Sequence, residues 1–207
     1  MLKTDTTEYE AKFYPVNKEQ YRSKLEKLGA KLVIPERKMI RIIADWDLNP
    51  SLPKHNYVRV RDEGNLIRLS YKTTATQDGK LSDQKEIDVD VSDFDKTVKI
   101  LELIGVKFNK TQETLREEWD YKGAQVTIDT WPGLEPYTEI ETDSEEKVKQ
   151  FAEDLGFDWN KKIITSATEV FARVYKISIE ETLQKINSIS FENNPFDSME
   201  KHDLEYN

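Results

Sequence analysis

Cysteine is absent from the 207 residues, and only two histidines are present. Disulfides and thiolate chemistry are thereby excluded, and a zinc centre is disfavoured. Nothing approaches the ~20 consecutive apolar residues of a membrane span, and Met1 to Glu10 lacks the apolar run of a signal peptide. The chain is therefore expected to be soluble and cytoplasmic, with no membrane partner. Basic charge is in deficit: 31 Lys and Arg stand against 40 Asp and Glu, a net charge of −9. Nucleic acid is a poor partner for such a surface, because phosphate contacts need basic residues in excess. Apolar residues make up 37% and charged residues 34%. That apolar content is low for a compact protein, but its patterning argues against overall disorder.

Three segments carry helix start and stop signals. Asn17 with Gln20 resembles a capping box before Tyr21, Leu25 and Leu28; Ser92 precedes Phe94, Val98, Leu101 and Ile104; Asp143 or Ser144 precedes Val148, Phe151 and Leu155. Each closes on a similar tripeptide, Leu28-Gly29-Ala30, Ile104-Gly105-Val106 and Leu155-Gly156-Phe157. Between them lie strand-like runs near 6–14, 37–47, 56–62, 66–73, 84–91, 112–121, 124–130 and 136–142, joined by turns at Glu63-Gly64, Asp78-Gly79, Lys122-Gly123 and Pro132-Gly133. Eight strands with few helices predict an α+β fold built on an eight-stranded antiparallel β-barrel with helices packed outside. Residues 1–175 are expected to form the barrel domain, and 176–207 a C-terminal helix and a polar, partly mobile tail.

Parity divides each strand into two faces, because side chains alternate along it. Glu8, Glu10 and Lys12 share one face. Arg59 and Arg61 oppose Val58 and Val60; Arg68, Ser70 and Lys72 oppose Ile67, Leu69 and Tyr71; Glu86, Asp88 and Asp90 oppose Ile87, Val89 and Val91. Asp129 opposes Ile128, Glu139 and Glu141 flank Ile140, Arg116 opposes Leu115, and Arg41 opposes Ile40 and Ile42. The apolar faces are expected to be the buried ones, and the charged faces to converge. One strand of this kind is ordinarily a solvated face with cross-strand ion pairs; five of them favour a shared interior. Buried charges there must be paired, wet or occupied. Guanidinium forks match phosphate oxygens, and oxygen-only carboxylate clusters suit Mg²⁺ or Mn²⁺. Asp90 and Glu118 read as rim charges, His55 as a loop residue, and Trp46, Trp119, Trp131 and Trp159 as packing groups.

These residues resemble the CYTH family of triphosphate tunnel enzymes, which includes class IV adenylate cyclases and thiamine and inorganic triphosphatases. Its N-terminal Glu-x-Glu-x-Lys signature corresponds to Glu8, Glu10 and Lys12. Ala44-Asp45-Trp46-Asp47 resembles its second-strand segment, Tyr57-Val58-Arg59-Val60-Arg61 its paired-arginine strand and Leu69-Ser70-Tyr71-Lys72 its lysine strand. Glu86-Ile87-Asp88, Arg116, Ile128-Asp129 and Tyr137-Thr138-Glu139-Ile140-Glu141 follow in the family's order.

The resemblance implies a tunnel in which Glu8, Glu10, Glu139 and Glu141, assisted by Asp129 and by Glu86 or Asp88, carry Mg²⁺ or Mn²⁺. Lys12, Arg59, Arg61, Lys72 and Arg116 would grip phosphates, with Arg41 and Arg68 as further candidates, and Lys12, Glu10 and Arg116 would be closest to the chemistry. The chain departs from the pattern at Asp88, Gln84, Thr114 and Thr165-Ser166-Ala167, where many members have Lys-Ser-Tyr; Lys161 or Lys162 offers a replacement. The expected activity is hydrolysis of tripolyphosphate, thiamine triphosphate or ATP. Alternatives are cyclic AMP formation, a non-catalytic polyphosphate- or nucleotide-binding module, and a salt-bridged structural barrel. A homodimer is left open.

Overall fold

A computed structural model describes residues 7–45, 56–73 and 79–204. Trp46, Asp47, His55 and Asp78 lie outside the described residues. The elements run β1 (Tyr9–Phe13), α1 (Lys18–Lys27), β2 (Lys31–Asp45), β3 (Asn56–Asp62), β4 (Ile67–Thr73), β5 (Lys85–Val91), α2 (Phe94–Leu103), β6 (Lys110–Tyr121), β7 (Ala124–Thr130), β8 (Tyr137–Thr142), α3 (Glu145–Asp154), α4 (Ala167–Tyr175), α5 (Ile179–Lys185) and β9 (Ser188–Ile189). The fold is α+β. The strands pair in the order β1-β8-β7-β6-β2-β3-β4-β5, antiparallel throughout, while the short β9 lies parallel to the start of β6.

The expected closed barrel needs correction, because among the described residues no continuous ladder joins β5 to β1. The two ends meet through a single bridge between Thr7 and Lys85, the Glu8 N–H donating to the Gln84 carbonyl (3.0 Å), and Gln84 Nε2 donating to the Glu10 carbonyl (3.1 Å). Gln84, a departure from the family pattern, thus ties the seam. Strand β2 begins earlier than the expected 37, and Pro35 lies where the β2–β6 register shifts. An irregularity is where a residue without an N–H fits a strand.

The three repeated tripeptides do end helices. After α1, Gly29 takes φ +81 and the Ala30 N–H reaches back to the Leu25 carbonyl (2.9 Å), with equivalent bonds after α2 and α3. Helices α1 and α3 cover the outer faces of β1, β8, β7 and β6, enclosing Phe13, Leu25, Trp119, Val126, Ile128, Ile140 and Phe151. Across β4, β5 and α2 the expectation of a buried apolar face fails: Ile87 and Val89 are about half exposed, Leu103 is 75% exposed, and α2 buries no residue.

A second core joins Tyr14, Trp131, Tyr137, Ile163, Phe171, Val174, Ile186, Ile189, Phe196 and Leu204. The tail is therefore packed up to Leu204, contrary to the expected mobility. Phe196 is 1% exposed and stacks on Phe171 and Tyr175 at 4.7 and 4.6 Å. No helix of the described residues is long and apolar enough to cross a membrane.

Candidate active site

The inward faces of the sheet enclose a cavity of about 530 Å³, a volume ordinary for small-molecule sites. Thr165 to Thr168, at the start of α4, and Leu183 and Ile186 line it as well. Every candidate drawn from strand parity reaches this space: Glu8, Glu10, Lys12, Arg41, Arg59, Arg61, Arg68, Lys72, Glu86, Asp88, Arg116, Asp129, Glu139 and Glu141. Lys161 and Lys162 do not; Lys162 Nζ sits 4.8 Å over the Trp159 ring.

The strands β1, β8 and β5 supply carboxylates gathered on two ammonium groups. Lys72 Nζ lies 2.7 Å from Glu8, 3.0 Å from Glu86 and 3.5 Å from Glu10. Lys12 contacts Glu10 directly and Glu139 at 3.4 Å. Arg116 bridges Asp129 (2.7 Å) and Glu139 (2.5 Å), while the Thr127 hydroxyl donates to Asp129. Burial opposes the charged form of Lys12 and Lys72, yet Glu10 with Glu139, and Glu10 with Glu86 and Glu8, raise the two amines above the usual lysine range. The same pairs overcome burial to hold Glu10 and Glu86 below the usual carboxylate range. Glu8 behaves differently: burial and a hydrogen bond with Glu86 outweigh Lys72 and push its carboxyl to about 9. Burial and the neighbouring Glu10 push Glu141 to about 7.

The strands β2, β3 and β6 supply the opposing cations. Arg59 donates to Glu86 (2.6 Å) and Ser70 (3.2 Å). Arg41 is 9% exposed, lies 4.7 Å over Trp131 and donates to the Thr114 hydroxyl (2.6 Å). No carboxylate among the described residues pairs with Arg41, and its Nε has no hydrogen-bond partner. Burial, then Arg61, Arg59 and Arg116, pull it down to about 9. Arg68 and Asp88 sit at the rim, 28% and 34% exposed at the side chain and 3.4 Å apart.

Among the lining residues that strand parity missed are Glu63, Tyr137 and Thr165. Glu63 continues the Arg59–Arg61 alternation past the end of β3, so the same periodicity extended by two positions reaches it. Tyr137 precedes Glu139 by two in the same way; its hydroxyl accepts from Trp131 Nε1 (2.9 Å), leaving its own proton to donate. Thr165 carries no sequence signal of this kind, yet it is 5% exposed with an unpartnered hydroxyl. Trp131, read as packing alone, both packs on Phe171 and supports Arg41.

Residues 6–175 match the CYTH domain. The chain belongs to the CYTH family. Similar folds include a proposed adenylate cyclase of Vibrio parahaemolyticus, 12% identical with a TM-score of 0.67, covering 81% of this chain and 98% of that one. A conserved hypothetical protein from Pyrococcus furiosus is 19% identical with a TM-score of 0.63, covering 77% and 96%. A Pyrococcus horikoshii protein is 21% identical with the same score and coverage. No curated protein matches. The CYTH family includes triphosphatases and adenylate cyclases and is generally metal-dependent.

No group of three metal-binding side chains among the described residues is arranged to hold an ion unaided; Lys72 and Lys12 occupy the centres of the carboxylate groups. The donor chemistry nevertheless fits a hard divalent cation. Only oxygens are offered, and the raised carboxyls of Glu8 and Glu141 report burial together with neighbouring carboxylates, a cost to the charged form that such a cation would offset. A pH dependence follows. Between about 4.5 and 7 for Glu141, and up to 9 for Glu8, the folded protein keeps protons that the unfolded chain has released, so metal-free stability should decline as pH rises through this window. Melting temperatures of EDTA-treated protein at pH 5.5 and 8.5 measure this; a higher value at 8.5 would contradict it.

Proposed function

We propose that this CYTH chain hydrolyses a triphosphate inside the cavity with Mg²⁺ or Mn²⁺. Arg41 carries the reading. A buried guanidinium with no carboxylate partner among the described residues, set beside Arg59, Arg61 and Arg116, calls for an anion with several oxygens, which a phosphate chain offers. Tripolyphosphate, thiamine triphosphate and ATP all present that group.

Lys12 and Lys72 hold their protons too firmly to act as bases, so their part is to stabilise charge developing on phosphoryl oxygens. Arg116, fixed by Asp129 and Glu139, is aimed before substrate arrives and does not need to reorganise. Tyr137, kept protonated by burial and by Glu139 and Asp129, offers a further donor. Glu8, Glu10, Glu139 and Glu141, with Asp129 and Glu86, would hold the divalent ion, which when bound neutralises phosphate charge and acidifies water. Asp88 at the rim would play a lesser part.

The test is mass-spectrometric product analysis with each substrate and each ion. Orthophosphate is expected. Cyclic AMP with pyrophosphate from ATP would replace hydrolysis with cyclisation, and the absence of product in every combination would overturn catalysis in favour of a binding module.

A further inference from the structure

Helices α1, α2, α3 and α5 each begin with a side chain, that of Asn17, Asp93, Ser144 or Ser178, accepting from an N–H of the first turn. Helix α4, of nine residues, has a serine in the same place, yet the Ser166 side chain makes no such bond. The Glu169 N–H donates to the Ser166 carbonyl (3.1 Å), while the Ala167 and Thr168 N–H groups find no acceptor among the described residues. Before them in the chain stands Thr165, 5% exposed, whose hydroxyl is buried without a partner. All the residues from Thr165 to Thr168 line the cavity, and Glu169, the acid of this turn, does not.

Backbone pairing and ring contacts fix where this turn lies. Ile163 exchanges both backbone hydrogen bonds with Lys12 (2.9 Å each), on the edge of β1 that β8 does not use. Phe171, one turn into α4, meets Trp131 edge-on at 5.9 Å; the Arg41 guanidinium covers the same indole at 4.7 Å, and Trp131 Nε1 donates to the Tyr137 hydroxyl. Arg41 also stands opposite Gln112 in the β2–β6 ladder, and Gln112 Nε2 donates to the Ile186 carbonyl at the end of α5 (2.9 Å). Arg41 and Tyr137 thus share with the start of α4 the part of the cavity that the C-terminal helices cover. We infer that the start of α4 is a phosphate subsite, in which the Thr165 hydroxyl and the Ala167 and Thr168 N–H groups hold one phosphoryl group beside Arg41. This rests on the triphosphate reading above and gives that substrate a position. Unpaired N–H groups at the positive end of a helix suit an anion, and an orphaned buried hydroxyl costs free energy until a partner fills it. A cation would face the hydrogens of these donors. A further basic side chain here would add to the repulsion already acting on Arg41 from Arg61, Arg59 and Arg116, whereas uncharged donors do not.

Isothermal titration with tripolyphosphate, in metal-free buffer and again with Mg²⁺, tests the subsite. Thr165→Val replaces the hydroxyl by a methyl group of similar shape. Ala167→Pro deletes one N–H at the first helical position, which proline tolerates, and Ser166, at φ −69 and ψ 164, already has the extended backbone that precedes a proline. Each should weaken binding about ten-fold, whereas Thr165→Ser should bind within about two-fold of wild type. The ligand-free variants should melt no lower than wild type, because the groups removed have no partner there. Weakened binding accompanied in both by a lowered melting temperature would trace the loss to a disturbed helix and overturn the subsite. Wild-type affinity in both folded variants overturns it as well and leaves the triphosphate reading standing. Wild type supplies a test that needs no variant: the Ala167 and Thr168 amide proton resonances should move downfield as tripolyphosphate is added, and resonances that stay in place while the anion binds overturn the subsite. Failure of wild type to bind tripolyphosphate in either buffer overturns the triphosphate reading and the subsite together.

Discussion

Arg41→Met should weaken tripolyphosphate binding at least 100-fold and at the same time raise the melting temperature of the ligand-free protein. The two effects share a cause. Arg41 is buried, placed among three other arginines, and among the described residues bonded only to a neutral hydroxyl and the face of Trp131. In the empty cavity its charge is uncompensated, and the fall of its pKa to about 9 reports that cost. Methionine has a similar length, keeps the contact with Trp131 and carries no charge. Against the relieved burial cost and repulsion stand the Thr114 hydrogen bond, worth about 1 kcal/mol, and the cation–π contact, worth about 1 kcal/mol more. A net gain of about 1 kcal/mol is expected, or a rise of ~2–4 °C for a domain of this size. With substrate present the balance reverses, since removing one partner of a buried, hydrogen-bonded charge pair costs about 2–5 kcal/mol. Melting curves with and without tripolyphosphate test both halves. A lower melting temperature in the empty protein, or a ligand-induced shift as large as in wild type, would refute the role given to Arg41.

The cavity was legible in the sequence because strand parity leaves no freedom. Once Val58 and Val60 face outward, Arg59 and Arg61 must face inward, and the same holds for Glu139 and Glu141 around Ile140. What parity cannot convey is the partner each side chain finds. Glu8, Glu10 and Glu86 share an interior with Lys72, but their closure on its ammonium is set by side-chain reach across the cavity. Burial of the outward faces also depends on what lies over them. Ile140 and Val126 are covered by α1 and α3, whereas Ile87 and Val89 have no such cover. The tail was illegible for another reason. Ile189 and Phe196 are isolated apolar residues in a polar stretch, with no period to announce them, and they are buried only because the second core has room at those points.

Lys72→Met should cost the metal-free protein about 3 kcal/mol at pH 8 and progressively less as pH falls towards 4.5. One ammonium now holds Glu8, Glu86 and Glu10 within 3.5 Å. Breaking a buried pair by removing one partner costs about 3–5 kcal/mol; Lys12 still faces Glu10 and Arg59 still faces Glu86, so the lower end applies. The pH dependence identifies the cause. In wild type Glu10 and Glu86 ionise below the ordinary carboxylate range, so their contribution is present above about 4.5 and disappears as pH falls. Without Lys72 the folded-state affinity of these carboxyls for protons rises, and protonation relieves the crowding that the amine used to relieve. The deficit relative to wild type must therefore shrink at acid pH, and a melting temperature lowered by about 10 °C at pH 8 should come to within a few degrees near pH 4.5. Mg²⁺ or Mn²⁺ should recover more stability in Lys72→Met than in wild type, since the vacated centre is bounded by oxygens alone. A deficit independent of pH and untouched by either ion would mean that Lys72 acts by packing, and would remove the charge balance of this cluster from the account of the site.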